Sequence, residues 1–247
     1  MVTLYSKKEV EAMKSAASVV KEVFKRLEEF IKPGVTTKDV DNLVENVIHS
    51  LSALPSTKNY HGYPAACCTS VNEVVVHGIP DSRVLKDGDI ISVDVVAFKD
   101  GFHSDACRTF AVGNISDDAK RLIDVTRESF FKGVEKAKVG NRLGDISEAI
   151  QTHVEKAGFG IVRDLTGHGV GKSMHEAPSI PNFGKANRGL RLKAGMVLAI
   201  EPMVTFGDYR VKTLNDGWSV VTVDNSISAH YENTIVITNS EPEILTL

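Results

Sequence analysis

The run Leu85-Lys86-Asp87-Gly88-Asp89-Ile90-Ile91-Ser92-Val93-Asp94 returns 107 residues later as Leu192-Lys193-Ala194-Gly195-Met196-Val197-Leu198-Ala199-Ile200-Glu201. Leucine, lysine and glycine coincide, an apolar strand-like stretch follows, and each copy ends on a carboxylate. A second correspondence lies at an offset of 106: Gly34, Asp39, Val40 and Val44 match Gly140, Asp145, Ile146 and Ile150. Two matches at nearly one offset point to an internal repeat. Each copy reads as helix, helix, then strands bearing an acid. The expected architecture is α/β: two pseudo-symmetric halves, about 1–112 and 113–247, forming one domain over 1–247. A site is expected where the halves meet.

Around the repeated strands, apolar periodicity predicts the helices. Val10, Met13, Ala17, Val20, Phe24 and Leu27 recur at steps of three and four across residues 6–31, with Ser6 as N-cap and Pro33-Gly34 as terminator. A second helix is expected from about Thr37 to Leu51, and others over 118–138 and 145–157. Residues 67–111 read as strand-like, and from Ile161 onward strands, turns and glycine-rich loops alternate.

Composition narrows the function class. The 247 residues are 42% hydrophobic and 25% charged, ordinary for a globular chain with a sizeable core. A net charge of −3 argues against nucleic-acid binding by bulk electrostatics. Cys67, Cys68 and Cys107 are odd in number and two are adjacent, which fits neither a secreted disulfide framework nor a C-x-x-C zinc site. Reduced thiols and a cytoplasmic location are the simplest expectation. The N-terminus turns charged at once, so no signal peptide is expected, and no apolar run approaches the roughly 20 residues of a membrane helix.

The strongest local signal is the segment from Asp94 to Asp105. Asp100-Gly101 is a hairpin dipeptide between two strand-like runs. A two-residue turn there sets Asp105 opposite Val96, two residues from Asp94. Strand side chains alternate, so both acids fall on one face as diagonal neighbours. The flanks of Asp94 are apolar, and a buried carboxylate needs a partner. Two such groups side by side repel, and a cation resolves the conflict. The competing arrangement has the acids at strand ends in solvent.

Further donors follow. Gly167-His168-Gly169-Val170-Gly171-Lys172-Ser173-Met174-His175 has three alternate glycines that permit close backbone approach. Residues seven apart on a straight strand face opposite sides, so the loop must bend if His168 and His175 serve one site. Taken singly, either could be a core histidine. Glu201 closes the second copy of the repeated strand and should mirror Asp94. By the symmetry of the halves, Glu232 could mirror Asp105. Four carboxylates carry −4, which two divalent cations balance, and one neutral imidazole adds a nitrogen donor. Such a set suits manganese, iron, cobalt or zinc rather than a closed structural zinc site.

These residues carry a family resemblance. Asn72-Glu73-Val74-Val75-Val76-His77-Gly78-Ile79-Pro80, the Asp94/Asp105 hairpin, Gly167-His168-Gly169, His175-Glu176, Ile200-Glu201-Pro202 and Glu232-Asn233-Thr234 resemble the type I (bacterial-like) methionine aminopeptidases, in order and over nearly the whole chain. The resemblance implies the pita-bread fold, two α/β halves about a pseudo-two-fold axis. It implies removal of N-terminal methionine by a metal-bridged water. Asp94, Asp105, His168, Glu201 and Glu232 would hold two metal ions, with Glu201 also the general base. His77 and His175 would contact substrate at the scissile bond. Tyr60, Tyr63, Cys68, Met174 and Trp218 match positions around the methionine pocket, and His61 one at its mouth; ordinary core packing is the alternative for the aromatic and sulfur residues. Implied partners are N-terminal peptides of nascent proteins, near the ribosome, for a cytoplasmic monomer with no membrane or direct nucleic-acid contact.

The chain departs from the family pattern in three places. Val96 stands where threonine is common, Met174 where an aromatic is common, and His230 where glutamine is common. None removes an expected ligand. A proline-specific aminopeptidase or dipeptidase would share the fold and the five ligands but usually has an additional N-terminal domain. A non-catalytic peptide-binding homologue is the other alternative; such proteins lose ligands, and here all five are present.

Overall fold

The computed structural model describes residues 2–247. Four helices frame it: α1 (Lys7–Phe30), α2 (Thr37–Ser50), α3 (Asp117–Val134) and α4 (Leu143–Lys156). The Ser6 side chain accepts from the Glu9 amide, and the Glu9 carboxylate accepts from the Ser6 amide, closing a capping box. Thr36 and Asp39 repeat the device at α2. At the equivalent point of the second half, the Asp145 carboxylate accepts from the Arg142 amide. α3 stops four residues short of the expected end, since Glu135 and Lys136 turn, and α4 starts two residues early, at Leu143. Among the described residues no helix is long and apolar enough to cross a membrane.

A nine-stranded sheet runs through both halves. Its main order is Leu54–Pro55, Ile90–Lys99, Phe102–Ala111, Glu232–Val236, Val197–Ile200, Thr166–Gly169 and Glu176–Pro181, with Cys68–Val71 also on the second strand and Glu243–Ile244 on the fourth. The two repeated strands thus share one sheet, each second from the central seam between Phe102–Ala111 and Glu232–Val236. The repeat extends to backbone detail. Gly88 and Gly195, matched across the copies, both take left-handed φ, +95° and +89°, a conformation a β-carbon would strain.

One face of the sheet is apolar. Ile91, Val93, Val95, Ala97 and Ala106 pack with Val23, Leu27, Val44 and Ile48 of α1 and α2. In the other half Leu198, Ile200 and Ile235 pack with Leu122, Phe130, Ile146 and Ile150 of α3 and α4. Full burial of each such side chain contributes about 1.5–3 kcal/mol. Each half therefore has its own core, and alternation along the strands leaves the opposite face free for other chemistry.

The Asp100-Gly101 hairpin forms in the expected register, with Val96 opposite Asp105 and Asp94 opposite Cys107. Asp100 and Gly101 have φ of 52° and 85°, both left-handed as the tight hairpin turn demands. Substituting Gly101→Val should cost roughly 1–2 kcal/mol, because a branched side chain is strained there. Denaturant unfolding of the two proteins checks this, and an unchanged midpoint would contradict it.

Candidate metal centre

Directly paired strand residues share a sheet face, so the ladder can be followed from donor to donor. Asp94 lies opposite Cys68 on one side and Cys107 on the other. Cys107 lies opposite Glu232. Ile200 pairs with Asn233, and one step further Glu201 comes opposite Glu232. Met203 opposite His230 keeps the same register beyond Pro202. Cys68, Asp94, Cys107, Glu232 and Glu201 thus form one row across the sheet. Two residues along, Val96 pairs with Asp105, and Thr234 pairs with Ala199, which pairs with His168. The Thr234 hydroxyl joins this row by donating to the Asp105 carbonyl and accepting from the Asp105 amide, both at 2.9 Å. All five expected donors therefore stand on one face, opposite the helices.

The same ladder corrects one expectation. Glu201 does mirror Asp94. Glu232, however, corresponds by register to Cys107, while the counterpart of Asp105 is His230. A two-residue turn locks the first hairpin. In the second half the chain between the paired strands runs through Val211–Thr213 and Val220–Thr222, so no turn ties the carboxylate to the mirrored position.

Local geometry shows why a cation fits. The His168 ring Nδ1 contacts the Gly169 carbonyl at 2.9 Å, and Nε2 lies 3.6 Å from both Asp105 Oδ2 and Glu201 Oε1. Asp105, His168 and Glu232 offer donor atoms all within 4.8 Å of one another. Buried oxygens of Asp94 (Oδ1), Asp105 (Oδ1) and Glu232 (Oε1) have no hydrogen-bond partner. Burial pushes the Asp94 carboxyl up to about 6. Burial, with the neighbouring acids second, holds Asp105, Glu201 and Glu232 well above the usual carboxylate range. Burial also lowers His168 to about 4, which keeps its imidazole neutral and able to ligate. Orphaned, mutually repelling carboxylates beside a neutral imidazole are what a divalent cation satisfies.

The glycine loop bends as required. The pairing of Thr166–Gly169 with Glu176–Pro181 is irregular between His168 and Gly169, and the His168 and His175 rings come within 4.3 Å. Gly167 is obligatory here, since a β-carbon would sit 2.4 Å from the Ala199 carbonyl oxygen. The Tyr60 hydroxyl hydrogen-bonds His175 Nδ1 at 2.8 Å. His77, opposite them, has a left-handed φ of 59°, a strained state for a residue with a side chain. Burial lowers the pKa of both His77 and His175.

One cavity unites these groups. Its walls include Asp94, Asp105, His168, Glu201 and Glu232 with Tyr60, Tyr63, Cys68, His77, Met174, His175 and Trp218. Tyr63 is buried, donates to the Gly78 carbonyl at 2.9 Å and meets Trp218 edge-on at 5.1 Å. Of the expected residues, His61 does not line the cavity; it is exposed and packs edge-on against Tyr60 at 4.4 Å. Thr57 and Val96 also line it. Thr57 carries no sequence signal, and its hydroxyl donates to the Ala65 carbonyl.

Metallopeptidase family M24 matches residues 11–239. A methionine aminopeptidase of Clostridium perfringens is 55% identical, over 100% of this chain and 99% of that protein. The chain belongs to metallopeptidase family M24 and, within it, to the methionine aminopeptidases. Methionine aminopeptidase 1 of Bacillus subtilis is 52% identical over 100% of this chain and 99% of its own length. The crystal structure of the Rickettsia prowazekii methionine aminopeptidase superposes with a TM-score of 0.99 at 42% identity, covering 100% of both chains. The methionine aminopeptidase structures carry the pita-bread fold that the resemblance implied. An Xaa-Pro dipeptidase from Bacillus anthracis shares the fold alone, at 23% identity and a TM-score of 0.79 over 98% of this chain and 61% of that one. As an M24 metallopeptidase, the chain uses divalent metal.

The raised carboxyls make a pH prediction for metal-free protein. The folded value of Asp94, about 6, exceeds its ordinary 3.8. Its stabilising contribution is therefore complete below the unfolded value and is lost as pH rises through the folded one. Asp105, Glu201 and Glu232 shift in the same direction. Metal-free protein should show a falling Tm as pH rises through about 6, and excess divalent cation should abolish the fall. A Tm indifferent to both would contradict this electrostatic account.

Proposed function

We propose that the chain removes N-terminal methionine from peptides, with Asp94, Asp105, His168, Glu201 and Glu232 holding two divalent cations drawn from manganese, iron, cobalt or zinc. The observation that supports it is the convergence of all five donors on the wall of a cavity that also has an apolar flank. Bound there, the cations would supply Lewis acidity and lower the pKa of a water molecule.

The chain's own groups divide the remaining work. Glu201 accepts the proton of the attacking water and delivers it to the departing amine. His175, oriented by the Tyr60 hydroxyl, hydrogen-bonds the scissile carbonyl oxygen as charge develops on it. His77 hydrogen-bonds the substrate on the leaving side. Tyr63, Cys68, Met174 and Trp218, with the rim of Tyr60, enclose the first side chain, and His61 stands outside at the mouth. Tyr60, Tyr63, Cys68, Met174 and Trp218 are apolar or amphipathic, so a lysine or aspartate side chain there would lose its solvation without a partner. The substrates are N-terminal peptides; nascent chains near the ribosome, met by a cytoplasmic monomer, complete the proposal.

Turnover of Met-Ala-Ser, Met-Lys-Ser and Ala-Pro-Ala by metal-loaded protein tests the reading. Met-Ala-Ser should be cleaved best and Ala-Pro-Ala least. Norleucine at the first position should be a fair substrate and leucine poorer, since methylene-sized differences in apolar pockets are worth roughly 1–3 kcal/mol. Equal kcat/KM for Met-Ala-Ser and Lys-Ala-Ser would sink the pocket assignment, and preferred cleavage before proline would sink the methionine reading.

His77 supplies a separate check. His77→Ala should keep its metal content and lose roughly 10- to 1000-fold in kcat, as expected for a hydrogen bond made mainly in the transition state. Loss of metal on this substitution would show His77 to be a ligand instead.

A further inference from the structure

His230 has no role among the groups above, yet it is 1% exposed and stands on the carboxylate face. It precedes Glu232 by two residues and pairs with Met203, two beyond Glu201, so alternation turns its side chain the same way as both acids. Its backbone is clamped. The His230 amide donates to Thr109 Oγ1, and its carbonyl accepts from the same hydroxyl, each at 2.9 Å. Its Nε2 is buried without a hydrogen-bond partner. The nearest anionic atoms are Glu201 Oε2 at 3.8 Å and Glu232 Oε2 at 4.0 Å.

Glu201 therefore lies between two imidazoles. Its Oε1 faces His168 Nε2 at 3.6 Å, and its Oε2 faces His230 Nε2. The two oxygens have different work in the proposed reaction. The one beside His168 belongs to the ligand set, which leaves the other to receive a proton. A carboxylate rotates about its last bond unless both oxygens are held. A buried N–H left without an acceptor is costly, so His230 gains by pointing Nε2–H toward Oε2, and the carboxylate gains a fixed plane.

We propose that His230 is a positioning residue for Glu201, its Nε2–H orienting the carboxylate oxygen that faces away from His168. This rests on Glu201 as proton acceptor. A glutamine amide N–H can serve the same purpose; an aliphatic side chain cannot. Partners of this kind behind ligands and bases typically matter by roughly 10- to 100-fold when removed.

The test compares His230→Leu with His230→Gln in the full-length protein. At saturating metal, His230→Leu should keep the wild-type metal-to-protein ratio and the wild-type KM for Met-Ala-Ser, while kcat falls roughly tenfold or more. His230→Gln should restore kcat to within about threefold of wild type, a difference near the thermal energy scale. Unfolding of both metal-loaded variants monitors the fold, and the leucine–glutamine contrast at equal stability separates orientation from packing. Unchanged kcat in His230→Leu overturns the proposal, as does equal loss of kcat in both variants. A lowered metal ratio in His230→Leu also overturns it, making His230 a ligand. Glu201→Gln distinguishes the two levels: an active Glu201→Gln protein removes the proton-acceptor reading itself, whereas an inactive one beside a fully active His230→Leu removes only the positioning role.

Discussion

Mutual repulsion among buried carboxylates is the constraint around which the molecule is organised. Asp94, Asp105, Glu201 and Glu232 share one sheet face in a low-dielectric cavity, and several of their oxygens have no protein partner. Without cations, protonation gives relief: burial first, and the neighbouring acids second, hold the Asp105, Glu201 and Glu232 carboxyls above the usual carboxylate range. Such a cluster persists because the sheet beneath it is held independently. The opposite face packs two separate apolar cores against two helix pairs. Hydrophobic burial on one side thus sustains an electrostatically unfavourable arrangement on the other, and binding of divalent metal converts that cost into affinity.

The two halves contribute unequally to the site. The repeated strands deliver Asp94 and Glu201 to equivalent places, but the strands beside them do not deliver equivalent acids. Register equates Glu232 with Cys107 and Asp105 with His230. Symmetry thus governs the framework and the first carboxylate of each half. Beyond that, the donors diverge. His168 comes from outside the four central strands, where a glycine at 167 allows the backbone to approach Ala199. One half of the cavity becomes the donor wall. The other, through Tyr63, Cys68 and Trp218, becomes an apolar wall.

Backbone strain and unpartnered polar atoms meet at this cavity, in His77 and in Asp94, Asp105 and Glu232. His77 holds a left-handed backbone conformation beside Gly78, whose missing β-carbon would otherwise collide with the Thr69 carbonyl at 2.2 Å. Deviations of this kind survive only where surrounding packing over-determines them. Here the close approach sets His77 across from the histidine cluster, with Trp218 against its ring at 6.4 Å. Met174 and Val96 line the same cavity.

Local chemistry in the chain was enough to establish the helices, the tight hairpin and the two-half plan. Capping residues, apolar periodicity and the Asp100-Gly101 dipeptide act over a few residues, so their consequences can be read without knowing what packs on them. The pairing of Val96 with Asp105 is of this kind, because a two-residue turn determines register outright. The resemblance then supplied the five donors as a set. What only the tertiary structure decided depends on strands brought together from far apart. No turn connects Glu232 to Glu201, so nothing local distinguishes its mirror position from one two residues away. Thr57 entered the cavity wall and His61 stayed outside it for the same reason: both placements follow from how the segment before Cys68 folds over the sheet. His230 reads in sequence as a substitution for glutamine, and becomes a buried imidazole facing Glu201 only when Met203 and Thr109 fix its strand from either side.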